Sequence, residues 1–186
     1  MKTIIFFCLV TTFWAIDYSA LSAPTTIQSG FFFERYLSAG KKPIVSRGKF
    51  YFERPSFFRW EWLEPAQQGL LIDNDAIAKW RITNDKKEIA DISSDPSAKI
   101  LAEQLLLFIS MDIDKIRITY DVQESGNVIS LTPIQESTIK EVILACNTDC
   151  SALTQLEMHA IDGGKTIIRF FNTQFDQSIP NSAKTP

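Results

Sequence analysis

Residues 45–63 read VSRGKFYFERPSFFRWEWL, and this stretch decides the fold. Apolar and polar residues alternate on both sides of Pro55, which predicts two strands, Ile44–Phe52 and Phe57–Leu63, joined by a short Pro turn. Phe50, Phe52, Phe58, Trp60 and Trp62 then share one face, while Lys49, Glu53, Arg59 and Glu61 face the other way, because strand side chains alternate with period two. Each such aromatic buries about 150–250 Å². The face they form is either core alone or the coat of an apolar cavity. Arg54 stands apart, since a guanidinium directly before Pro55 at a strand end must find acceptors if the site is covered; otherwise it is a solvated rim residue.

The same alternation recurs outward at Phe31–Leu37, Leu70–Asp73, Ile77–Thr83, Glu88–Ile92, Ile116–Val122, Val128–Thr132, Ile139–Ala145, Leu153–Ala160 and Thr166–Asn172. With the first two, eleven strands are expected. The clearest sets Ile116, Ile118, Tyr120 and Val122 against Arg117, Thr119 and Asp121, the pattern of a sheet wet on one side. Asp162-Gly163-Gly164 supplies the last hairpin turn. One segment differs: after Asp95-Pro96, an N-cap followed by Pro at N1, Ser97–Met111 carries Ile100, Leu101, Leu105, Phe108 and Ile109 at helical spacing. Leu105, Leu106 and Leu107 widen its apolar stripe, so this helix buries against something large. It either plugs the sheet as ordinary core or lines and lids a cavity. The expected fold is mainly β, a strongly curved antiparallel sheet of about eleven strands with a helix over its apolar concave face.

At 186 residues, 45% hydrophobic and 22% charged, the chain is neither disordered nor fibrous, and its length suits one domain. Nineteen basic residues against 22 acidic ones leave a net charge of −3, so no basic field favours nucleic acid. Lys2 followed by the apolar run Ile4–Val10 and then Phe13–Ile16 reads as a secretory signal, with small residues placing cleavage near Ser22/Ala23. Residues 1–22 are thus expected to leave, 23–175 to form the domain and 176–186 to fray as a flexible polar tail. Export lets Cys146 and Cys150 pair across C-N-T-D-C, and a local disulfide is favoured over a redox pair, which is more often C-x-x-C. Zinc would need ligands beyond His159, the only histidine, so no metal is expected. Glu53, Glu61 and Glu64 could supply an acid/base pair, but a charged solvent face explains them more simply. Asp73-Asn74-Asp75 lacks the rest of a cation loop and reads as a turn. Neither a nucleophile motif nor a cofactor motif is present, so an enzyme is not expected.

RPSFFRWEW at 54–62, with Gly48 and Phe50 before it and Pro65, the strand Gly69–Asp73 and Ala78-Lys79-Trp80 after it, resembles the outer-membrane lipoprotein carrier (LolA) family. FFFERYLSAGKKPIVSRG at 31–48 looks closer still to the LolA-related subgroup. The resemblance spans residues 31–173 and is specific over 44–82. It implies an unclosed eleven-stranded barrel covered by a helical lid, with an apolar cavity that carries acyl chains across the periplasm and makes or breaks no bond. The cavity would be lined by Phe50, Phe52, Phe58, Trp60, Trp62, Leu101, Leu105 and Phe108, and Phe58 would also meet partners. Arg54 would hydrogen-bond the lid and favour its closed state. Implied partners are a lipidated protein or other lipid as cargo, an inner-membrane donor complex and an outer-membrane acceptor, with the carrier a monomer and no cofactor. Two features depart from the family: too few residues precede the first strand for an N-terminal lid helix, and C-N-T-D-C is outside its motif. Both suit a paralogue with different cargo, and an adaptor with a filled core is the rival reading.

Overall fold

The alternation produces eleven strands: β1 Thr26–Tyr36, β2 Ile44–Glu53, β3 Phe57–Glu64, β4 Gln68–Asp73, β5 Ala76–Thr83, β6 Lys86–Asp91, β7 Tyr120–Ser125, β8 Val128–Pro133, β9 Ile139–Cys146, β10 Leu153–Ala160 and β11 Lys165–Phe175. The structure, a computed structural model, describes residues 24–37, 42–148, 150 and 152–186, with the side chains of Ser97, Leu101 and Ala102 outside it. The expected signal segment and its cleavage point lie outside the described residues.

The strands form one antiparallel sheet in the order β6-β5-β4-β3-β2-β1-β11-β10-β9-β8-β7. Every neighbouring pair but one is consecutive in the chain, which is what hairpin connections produce. The exception, β1 with β11, joins the two ends of the domain at the middle of the sheet. The edges are therefore β6 and β7, consecutive in sequence but not paired, and the barrel stays unclosed. The chain between them crosses the opening as two helices, α1 Pro96–Ser110 and α2 Ile113–Thr119. Pro96 opens α1, with Lys99 N–H donating to the Asp95 carbonyl at 3.1 Å. The concave face of the sheet and the inner side of α1 share one hydrophobic core that includes Phe31, Phe58, Trp60 and Phe108.

Residues 116–122 were expected to be a strand, and the first four of them are helical instead. Asp112 accepts a hydrogen bond from Lys115 N–H at 3.2 Å and caps α2, and β7 begins only at Tyr120. Ile116 is 0% exposed and Ile118 75% exposed, as a helix requires of positions two apart; in a strand they would share a face. The alternation Ile-x-Ile was therefore an accident of composition. Tyr120 and Val122 do belong to the sheet, with Tyr120 paired to Pro133 and Val122 to Leu131.

The C-terminal segment also differs from expectation. Rather than fraying, residues 177–186 lie on the outer face of the sheet, where Ile179 and Ala183 pack against Phe57 and Leu71 in a second, smaller core. Thr26 Oγ1 donates to the Gln177 carbonyl at 2.7 Å, and Lys184 Nζ pairs with Glu53 at 2.8 Å. The outer face of β3 is consequently not solvated: Arg59 is 4% exposed and Glu61 7%. Arg59 donates to Glu61 Oε1 through Nε at 2.6 Å and through Nη1 to the carbonyls of Ala183 and Thr185. Covered charges persist only when paired and hydrogen-bonded, and the segment supplies the missing acceptors.

Candidate functional site

The interior is built around the β2–β3 pair. Register places Phe50 opposite Trp60, Phe52 opposite Phe58 and Gly48 opposite Trp62, so the aromatics expected to share a face do so as cross-strand pairs. Gly48 leaves a notch in this layer. A Cβ there would overlap the Glu61 carbonyl oxygen and the ring of Phe31, and without one Phe31 settles onto Trp60 with ring centroids 3.9 Å apart. Phe50 lies nearly parallel to Trp60 at 5.8 Å, while Phe170 meets Phe50 edge-on at 5.5 Å and Trp62 meets Trp60 edge-on at 5.9 Å. From the opposite side α1 contributes Phe108, edge-on to Tyr120 at 5.6 Å, and half-buried Leu105.

Of the eight residues expected to line the interior, Phe50, Phe52, Phe58, Trp60, Trp62, Leu105 and Phe108 thus belong to one cluster; the side chain of Leu101 lies outside the described residues. Phe31, Phe170, Ile116 and Tyr120 belong to it as well. Phe31 and Phe170 stood in expected strands, and only the β1–β11 contact selects which of their neighbours face inward. Phe52, Phe58 and Trp60 are covered by protein atoms on all sides, so a guest needs the layer to part.

Arg54 sits where three chain segments meet. Its Nε donates to the Pro24 carbonyl at 2.9 Å and its Nη2 to the Ser110 carbonyl at 3.2 Å, while its backbone N–H donates to Thr25 O at 2.9 Å. Ser110 closes α1, whose last carbonyls lack helical donors and carry the negative end of the helix dipole. The helix stops because Met111 adopts φ 51°, and Asp112 then caps α2. Partial burial pushes the Asp112 carboxyl up, but hydrogen bonds from the Lys115 side chain and backbone, with the charges of Lys115 and Arg54, outweigh this and hold it below the usual aspartate range. Glu103 and Leu107 of α1 border a cleft of about 500 Å³ shared with α2 and the β7–β8 edge, reaching Ile118, Pro133 and Ser137.

The remaining candidates resolve simply. Cys146 and Cys150 are joined by a disulfide with Cα atoms 4.8 Å apart, between β9 and β10. Glu53 and Glu61 lie on the outer face, held by Lys184 and by Arg59 with Lys49. Asn74 and Asp75 form the two-residue turn between β4 and β5, with Asn74 at φ 53° and Ser56 Oγ donating to it at 2.7 Å.

An unclosed antiparallel half-barrel, with an aromatic interior covered by a helix whose end is held by the arginine that follows β2, defines a class of domain with a helix-capped apolar interior. A family model described as outer membrane lipoprotein carrier protein LolA matches residues 25–183, and the chain belongs to that family. Among curated relatives, an outer-membrane lipoprotein carrier protein of Nitrosospira multiformis is 28% identical over 145 residues, covering 73% of this chain and 65% of that protein. One from Francisella philomiragia subsp. philomiragia is 24% identical over 204 residues, covering 97% and 95%. The chain thus spans just under two thirds of the first of these relatives. A chain of the Pseudomonas aeruginosa MucA/MucB complex shares the fold with a TM-score of 0.52 and 14% identity, over 87% of this chain and 55% of its own length.

Proposed function

We propose that this protein is a periplasmic carrier that takes the acyl chains of a lipoprotein or another lipid into its apolar interior and shuttles them toward the outer membrane. The observation that carries this reading is the interior itself, a continuous aromatic and aliphatic layer closed by a helix rather than by a second sheet. A helix bordered by a cleft on one side and held at its end by the Arg54–Ser110 hydrogen bond would serve as the lid. Phe50, Phe52, Phe58, Trp60, Trp62, Leu101, Leu105 and Phe108 would meet the acyl chains, and no bond would be made or broken. Cargo would arrive from an inner-membrane donor and leave to an outer-membrane acceptor, after the signal segment is removed near Ala23.

Shuttling requires loose binding. Opening the lid costs the Arg54 contacts, so the loaded state is lifted in free energy by that amount and cargo passes readily to a tighter acceptor. The dense cover around Phe52, Phe58 and Trp60 equally suits a non-catalytic adaptor with a filled core, the second reading. Purification of the exported protein, organic extraction and mass spectrometry distinguish the two, together with titration of a fluorescent acyl probe. Co-purified lipid and saturable probe binding displaced by fatty acids are expected. Empty extracts and no saturable binding would leave the adaptor.

A further inference from the structure

Trp60 carries an atom that packing alone does not explain. The residue is 2% exposed, and its indole Nε1–H is buried with no hydrogen-bond partner. Most buried polar groups are satisfied, because a donor left unmade loses its hydration with nothing in return. Phenylalanine would give the stack on Phe31 and Phe50 without that cost, and the chain has Phe at Phe31, Phe50 and Phe58 around this very position. Among the described residues the other unpartnered buried indole is Trp80. It lies on the outer face, beside Arg59 and Lys87 at 5.2 and 4.7 Å, away from the interior.

An indole N–H donates and cannot accept, so its complement is an oxygen acceptor brought in by the guest. A hydrocarbon tail has none; an acyl chain linked as an ester or amide has its carbonyl. We infer that Trp60 is the polar anchor of the interior, its Nε1–H donating to the carbonyl oxygen of an ester- or amide-linked acyl chain. The site thereby selects acyl over alkyl cargo. This rests on the carrier reading and adds the cargo's linkage to it. Trp60 lies midway along β3, between Phe58 and Trp62.

Matched lipids test this: a monoacylglycerol and the monoalkylglycerol ether of equal chain length, below their micellar concentrations, titrated into the full exported protein. The ester should bind about three- to tenfold tighter than the ether. The indole ¹⁵N–H resonance of Trp60 should move on adding the ester and stay near its free position with the ether, a readout on the parent protein that requires no variant. Trp60→Phe should lower ester affinity more than ether affinity and so close the gap between the two lipids. Equal affinities in the parent, an indole resonance that both lipids move alike, or a Trp60→Phe loss of equal size for both lipids would overturn the inference and leave the carrier reading standing. Saturable binding of neither lipid would overturn both.

Discussion

Arg54 Nη2 donates to the carbonyl oxygen of Ser110 across 3.2 Å, joining the turn after β2 to the last residue of α1, 56 positions later in the chain. Hydrogen bonds from a charged donor contribute about 1.5–3 kcal/mol each, and this one exists only while α1 lies on the sheet. Arg54→Leu should therefore populate the open state, so that an acyl probe is held longer and handed on more slowly while the fold survives. If Arg54 instead held a lipid headgroup, the same change would weaken binding. Probe affinity and release rate at two ionic strengths decide, and a several-fold loss of affinity would refute the latch.

Among the glycines of the described residues, Gly48 would bring a Cβ nearest to another atom. Gly48→Ala places a methyl group against the Glu61 carbonyl and the Phe31 ring, and overpacking of this kind costs about 1–3 kcal/mol. The upper end is expected, because one obstacle is backbone and cannot rotate away. Adding Phe31→Ala should not restore stability, since it leaves the carbonyl in place and removes the stack on Trp60. Urea midpoints of the parent, the single and the double variant measure this. A single variant as stable as the parent would show that the strands can separate at this point.

The C-terminal segment should behave as part of the fold. Truncation after Asp176 removes buried Ile179 and two acceptors of Arg59. Burying one Ile contributes about 1.5–3 kcal/mol, and bonds from a charged donor a similar amount, so a loss of about 3 kcal/mol or more is expected. Ile179→Ser should lose roughly half of that. Thermal unfolding of both variants tests this, and a truncated chain with the parent's melting temperature would mean that the segment frays after all.

Asp112 gives the helix junction a pH dependence. Its pKa is lower in the folded chain than the ordinary aspartate value, so the charge stabilises the fold above the unfolded pKa of about 3.9 and the contribution disappears as pH falls through the folded pKa. Asp112→Asn keeps a capping side chain but not the charge. The parent should melt above the variant at pH 7, and the difference should close in acid. A difference that is constant across this range would place the stabilisation in the cap geometry alone.

Much of this protein was determined by local sequence. Period-two alternation located ten of the eleven strands, Pro96 marked the start of α1, and Arg54 before Pro55 stood out as a cation at a strand end. These are properties of a few adjacent residues, because strand and helix periodicities act over one or two turns of chain. What only the tertiary structure decided depends on distant segments. The pairing of β1 with β11 leaves β6 and β7 as open edges, which makes the helical connection between them a cover and puts Ser110 within reach of Arg54. Residues 116–119 alternate like the start of a strand, yet they follow the Asp112 cap into a helix. Arg59 and Glu61 read as solvent-facing because their covering lies more than a hundred residues away, in a polar segment with nothing apolar to announce it except Ile179 and Ala183. Burial is a non-local quantity, and the side chains whose role depends on it are Arg59, Phe31 against Gly48, and the unpartnered indole of Trp60.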